Sequence, residues 1–138
     1  MDKAAWIGNS TKHEKPWGYE IVWSTMQNLQ GKEVFIREGA RTSLKYHTNK
    51  DEVLYLMSGR AIVEFADEEW FRYSDVKIKK EVLEAGQYLA VQSSCLYRIT
   101  AETNCVFLEI SNRISGKTIR IEDDYGRPTD PDPKKLRS

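Results

Sequence analysis

Residues 39–59 read GARTSLKYHTNKDEVLYLMSG, and this stretch decides the fold. Gly39 and Gly59 bracket it, and two strands read out of it around a turn-like TNKD. Side chains two apart on a strand share a face, so Lys45 and His47 point the same way. Glu52 opens the second strand, where a hairpin brings it to the same point. An ammonium, an imidazole and a carboxylate are thereby set into otherwise apolar strands. A bland reading stands beside the functional one: a lone strand histidine often serves packing, and Lys45 with Glu52 reads equally as an ion pair closing the hairpin.

On either side the pattern is more of the same. Lys15–Trp23 (KPWGYEIVW) and the KEVFIREG run ending at Gly39 are strand-like around a turn ending at Gly31. RAIVEFA continues after Ser58-Gly59, and VKIKKEVLEAG, QYLAVQ, SCLYRIT, VFLEISN and KTIRIEDDYGR follow as short strands. In the last of these Ile119 and Ile121 share one face and Arg120 takes the other. ADEEWFRYSD fits a solvated loop, an edge hairpin or a short helix, and its Trp70 and Tyr73 look exposed. Nine or ten short strands with frequent turn signals and no long helical period predict one all-β sandwich or barrel. Residues 1–14 read as a polar arm, 15–127 as the domain, and 128–138 as a mobile tail in which prolines alternate with charges.

The totals narrow the class. A chain of 138 residues with 40% hydrophobic residues suffices for one core, and 21 basic residues balance 21 acidic ones. A balanced charge gives no support for nucleic acid or a membrane surface as partner. No apolar run approaches the ~18 residues that span a bilayer, and the N-terminus lacks a signal-peptide core, so the cytoplasm is the expected location. Cys95 and Cys105 would flank a hairpin turning at residues 100–104, too far apart to bridge, and are expected as free thiols. His13 and His47 are the only histidines, so a three-histidine metal site is excluded within one chain.

The spacing Gly39, Lys45, His47, Glu52, Gly59 resembles the first cupin motif, and Gly86 to Ala101 falls where the second belongs. KPWGYE, GARTSLKYH and RIEDDYGR further resemble the cupin domain of bacterial mannose-6-phosphate isomerase, also the C-terminal part of bifunctional mannose-1-phosphate guanylyltransferase. The resemblance covers about residues 15–127 and implies a double-stranded β-helix, or jelly roll, of two antiparallel sheets. Its departures bear on chemistry. The family has glutamine or histidine where this chain has Lys45, histidine where it has Tyr97, and proline and glycine where it has Gln92 and Ser94. Only His47 and Glu52 remain as metal ligands, an incomplete set. At most a weak zinc or iron site results, with help from Tyr97 and either Cys95 or water, and no cofactor is the simpler expectation.

By that resemblance the ligand is a phosphorylated sugar or sugar nucleotide, and the reaction an aldose–ketose isomerisation. Glu52 would serve as base with His47 assisting, and Lys45 would stand as a fixed positive charge beside the enediolate. Tyr97 would donate a hydrogen bond, with Lys45, Tyr97 and Arg120 binding substrate and Arg120 facing the phosphate. The alternative is a non-catalytic sugar-binding or regulatory cupin without metal. A metal-dependent oxygenase or epimerase is disfavoured, since the ligands of the first are missing and no histidine–aspartate pair for the second can be placed in the sequence. Asp123, Asp124 and Arg127 either bound the pocket mouth or belong to a segment sealing the barrel end through Tyr125 and Gly126. Edge strands of jelly rolls often pair between chains, so a homodimer is expected, with Trp70 to Tyr73 as the contact.

Overall fold

The computed structural model describes residues 3–26, 28–73, 75–112 and 116–130. Among them eleven strands follow in order: β1 (Thr11–Lys15), β2 (Gly18–Met26), β3 (Leu29–Ile36), β4 (Leu44–His47), β5 (Glu52–Ser58), β6 (Arg60–Ala66), β7 (Lys79–Glu84), β8 (Tyr88–Val91), β9 (Leu96–Ala101), β10 (Cys105–Ser111) and β11 (Thr118–Glu122). Among the described residues these strands pair antiparallel, in a six-stranded sheet β1-β2-β3-β10-β5-β8 and a five-stranded sheet β11-β4-β9-β6-β7. No helix among the described residues is long and apolar enough to cross a membrane. Thr11 to Glu14, read from sequence as arm, belong to β1, which pairs with β2 along the sheet edge. Of the expected tail, residues 131–138 lie outside the described residues.

The two sheets face each other, and strand alternation fills the space between them. Val34 and Ile36 of β3, Leu54 and Leu56 of β5, Phe107 of β10, Val63 of β6 and Ile99 of β9 form one buried cluster. Opposite residues of the five-stranded sheet point the other way. Leu44, Ala66 and Leu96 join Trp70, with Tyr46, Phe71 and Ile121 packed against them, in a second cluster. Trp70 sits on a 3-10 turn, Glu68–Phe71, which lies over this outer face. Its indole Nε1 donates to the Ser94 carbonyl at 2.8 Å. The exposure expected for Trp70 is therefore corrected: it is 2% exposed, while Tyr73 is exposed as read. The charges around Trp70 masked its burial, since a single turn laid flat on a sheet needs only one apolar anchor.

Two hairpins read from sequence do not form. β4 and β5 belong to different sheets, so the TNKD segment crosses from one sheet to the other. Likewise β9 pairs with β4 and β6, and β10 with β3 and β5, so Cys95 and Cys105 do not flank a hairpin. Both cysteines are free, as expected. A short polar turn looks the same whether it joins neighbours in one sheet or crosses between two, because both need only a reversal of direction.

Candidate functional site

One row of the five-stranded sheet builds a wall of the site. Arg120 on β11 lies opposite Lys45 on β4, and Lys45 opposite Tyr97 on β9. All three line a cavity of about 160 Å³ between the sheets, together with His47 and Glu52. The Lys45 ammonium stands 4.5 Å from the centre of the Tyr97 ring, a cation–π contact. The five residues singled out by sequence thus converge, although two of them meet by a different route. Glu52 reaches His47 across the barrel, from the opposite sheet, and not across a hairpin.

Lys45 does not close an ion pair with Glu52; Lys50 takes that place. Lys50 Nζ lies 3.2 Å from Glu52 Oε2, and His47 Nε2 lies 3.1 Å from Oε1. Both carboxylate oxygens are buried, yet neither receives a well-directed hydrogen bond. Thr118 Oγ1 meets His47 Nδ1 at 3.0 Å and the Tyr97 hydroxyl lies 3.4 Å from Nε2. A neutral imidazole with its proton on Nε2, facing Glu52, and with Nδ1 accepting from Thr118 satisfies these contacts.

Sequence reasoning missed the other half of the charge cluster. Lys32 on β3 lies 3.3 Å from Glu20 of β2 and 3.4 Å from Glu109 of β10, and Lys50 lies 3.4 Å from the same Glu109 oxygen. The signal was present in the alternation. Glu109 follows Cys105 and Phe107 in phase, Lys32 precedes Val34 and Ile36, and Glu52 precedes Leu54 and Leu56. Each inward phase is apolar towards one end of the barrel and charged towards the other. Six cationic side chains (Lys15, Lys32, Lys45, Lys50, Arg120 and Arg127) face three carboxylates, Glu20, Glu52 and Glu109. The carboxylates stand on the six-stranded sheet and take up its lysines. Lys45 and Arg120, on the other wall, have no carboxylate partner among the described residues, and Arg120 Nε is buried without an acceptor.

Burial and charge shift the titrations in opposite ways. Burial raises Glu52, but the His47 imidazole 3.1 Å away and the Lys50 charge overcome it and hold the carboxyl well below the usual range. Burial pushes Glu109 up to about 7, reinforced by Glu52 and opposed by Lys32 and Lys50. Lys45 is pulled down to about 8 by burial, against the attraction of Glu52 and Glu109. Burial also lowers His47, despite Glu52, and raises Tyr97 well above its ordinary value. Arg120 is lowered by burial and by repulsion from Arg127.

These side chains do not fit a divalent cation. Nε2 of His47, the nitrogen that would ligate, faces Glu52 and Tyr97, and the Lys50 ammonium holds the other Glu52 oxygen. Cys95 is not among the lining residues. Among the described residues no group of three His, Cys, Asp or Glu side chains converges as a metal site. Two ammonium groups beside two donors repel an ion that the family's neutral ligands would hold.

The EDDYGR segment has part of each expected role. Asp123 accepts from the Arg127 backbone and guanidinium at 2.8 Å and 2.7 Å, and the Tyr125 hydroxyl donates to the Arg41 carbonyl at 2.8 Å. Asp124 pairs with Arg41. These bonds tie the segment across the barrel end, while Arg127 lines the cavity.

Comparison with known proteins agrees on architecture. No family model matches the chain, and none of the curated proteins does. Among solved structures, the capsular polysaccharide assembling protein CapF from Staphylococcus aureus superposes with a TM-score of 0.69 at 14% identity, over 83% of this chain and 32% of that one. Oxalate decarboxylase from Lactobacillus farciminis, solved as a formate complex, gives 0.66 at 18% identity over 81% and 33%. Oxalate decarboxylase from Bacillus subtilis, described with Mn(II) centres, gives 0.65 at 20% over 80% and 29%. The chain spans about a third of the length of each. At such identities the likeness carries the fold alone: the chain has the cupin fold, an all-β barrel of two antiparallel sheets.

Proposed function

We propose that the barrel binds a phosphorylated sugar, as a cupin of the mannose-6-phosphate isomerase type. The observation that carries this reading is the pair of uncompensated cations, Lys45 and Arg120, facing a cavity whose carboxylates are already paired. A phosphate seated against Arg120 and Lys45, with Arg127 at the mouth, neutralises that wall. The CapF name, with its capsular polysaccharide, agrees with a sugar derivative. The cavity of about 160 Å³ favours a monosaccharide phosphate over a sugar nucleotide, since sites for drug-sized ligands run to ~300–1,000 Å³.

Isomerisation in such a site moves one proton between adjacent carbons. A carboxylate removes the proton from the carbon beside the carbonyl, the enediolate forms against the Lys45 ammonium, the hydroxyl proton passes to the former carbonyl oxygen, and the first proton returns to the former carbonyl carbon. Glu52, with His47 in contact, is the candidate base. A specific observation favours the second reading, binding without catalysis. Glu52 is held ionised between His47 and Lys50, and a carboxylate with so little affinity for a proton is a weak base.

Calorimetry with mannose 6-phosphate and with mannose, beside an assay for fructose 6-phosphate, separates these cases. Binding of the phosphate ester but not the free sugar is expected, weakened at least tenfold in Arg120→Gln. Turnover abolished by Glu52→Gln establishes the isomerase; binding without turnover leaves the non-catalytic cupin. No binding of any sugar phosphate overturns the proposal.

A further inference from the structure

The two sheets differ in what covers their outer faces. The turn bearing Trp70 and Phe71 covers part of the five-stranded sheet. Over the six-stranded sheet no such element lies among the described residues, although its outward phase is apolar. One row across it reads Lys12, Ile21, Glu33, Leu108, Tyr55, Tyr88, and the next runs through Gly31, Ile110, Val53, Ala90. Antiparallel sheets that face water normally alternate apolar inward with polar outward. Here the charges in two rows are Glu33 and, at the β1 edge beside Ile21, Lys12.

The patch is continuous and large. Gly31 lacks a side chain because the Trp23 ring occupies that space: a Cβ there would stand 2.3 Å from it. Trp23 thereby extends the row beyond Ile110. Trp23, Tyr55, Met57, Tyr88 and Ile110 are between 42% and 65% exposed. Taking roughly 200 Å² for a large side chain, each leaves roughly 100 Å² to solvent. The five amount to on the order of 500 Å², before the half-buried Val53 and Leu108 between them are included. That reaches the upper range for the largest patch on a monomer and approaches the ~800 Å² per partner of a stable interface.

We infer that the outer face of the six-stranded sheet is the contact surface of a homodimer. The charge pattern selects the occupant. A face whose centre carries one carboxylate, with one ammonium, Lys12, at its β1 edge, offers little to a strongly charged partner and desolvates any charge placed on its centre. An apolar, nearly uncharged sheet is complemented by another such sheet, and a two-fold axis presents this chain's own. The contact lies away from Trp70, which is buried within the chain, and involves the broad sheet face in addition to its edge strands. It is independent of the ligand in the barrel.

The mass of the full chain in solution tests this, by light scattering at micromolar concentration. Twice the 16.0 kDa of one chain is expected. Tyr88→Glu and Ile110→Glu, at exposed positions, should each shift the mass to that of one chain with an unchanged circular dichroism spectrum. Tyr73→Glu, exposed on another part of the surface, should remain dimeric. A monomeric wild type, covered by its own N-terminal segment or by another protein, overturns the inference, and so does a dimer that survives both substitutions. If either glutamate variant fails to fold, slower amide exchange in β5, β8 and β10 at high than at low wild-type concentration is the expected sign, and concentration-independent exchange the contrary one.

Discussion

Lys45 concentrates the conflict between stability and function in one side chain. Its pKa falls from 10.5 to about 8 through burial. A lysine whose folded pKa is depressed makes stability rise with pH between about 8 and 10.5; below that window the fold bears the full cost of the buried charge. Lys45→Met should therefore stabilise the protein at pH 7 by about 1–2 kcal/mol, the charge penalty less the lost contact with Tyr97. Urea denaturation measures this, and calorimetry on the same variant should find sugar-phosphate binding gone. A variant less stable than the wild type would mean that Lys45 is structural. This residue, with His47 and Glu52, was legible in the sequence because the spacing of two and the apolar surroundings mark it. Arg120 and Tyr97 were legible only through the resemblance. Lys50, Lys32 and Glu109 were not picked out, because a charged residue in the inward phase of a strand is conspicuous only once the partner strands are known.

At the scale of elements, strands were easier to read than their partners. Alternation placed most strands, but the polar turn after His47 gave no sign that it crosses between sheets. Turn chemistry does carry usable information elsewhere. Ser94 has φ of 71°, the left-handed region, at the position where the second cupin motif ordinarily has glycine. Its neighbours fix that conformation: Ser94 N donates to the His47 carbonyl at 2.8 Å, and its own carbonyl holds Trp70. Those bonds use only the backbone atoms of Ser94, so Ser94→Gly keeps them and removes the strain, an expected gain of about 0.5–1 kcal/mol. Gly59 is the converse case. It has φ of 95°, and a Cβ there would lie 2.2 Å from the Asn104 carbonyl oxygen. Gly59→Ala should cost at least about 2 kcal/mol. Thermal and urea unfolding of the two variants should thus move in opposite directions; movement in the same direction would separate the backbone conformations from the stability they are held to control.

For the whole molecule, the barrel is a core with two characters. One end holds the apolar layers of Leu54, Leu56, Phe107 and Ile99, and the other a cluster of charges between the same sheets. The formal net charge is zero, so the cationic excess in the cavity is balanced elsewhere on the surface. The cluster should therefore be felt in the pH dependence of stability more than in long-range attraction of ligand. Glu109 governs one window of it. Its pKa is raised from 4.5 to about 7, so between those values the folded state retains a proton that the unfolded chain has lost. Stability then falls as pH rises through the window, by on the order of 1–3 kcal/mol. Neighbours act in other senses. His47, lowered by burial, adds stability as pH rises towards 6.5, and Glu52, held low, loses its contribution only as pH falls below 4.5. Lys32 and Lys50 are the ion-pair partners of Glu109. The informative quantity is accordingly the difference between two profiles. Glu109→Gln keeps the shape and removes the titration. The stability of the variant relative to wild type should improve steadily from pH 4.5 to 7 and stay level above about pH 7.5, as read by urea midpoints at half-unit intervals. A difference independent of pH across that window would show that Glu109 is ionised throughout, stabilised by Lys32 and Lys50 more than burial opposes it.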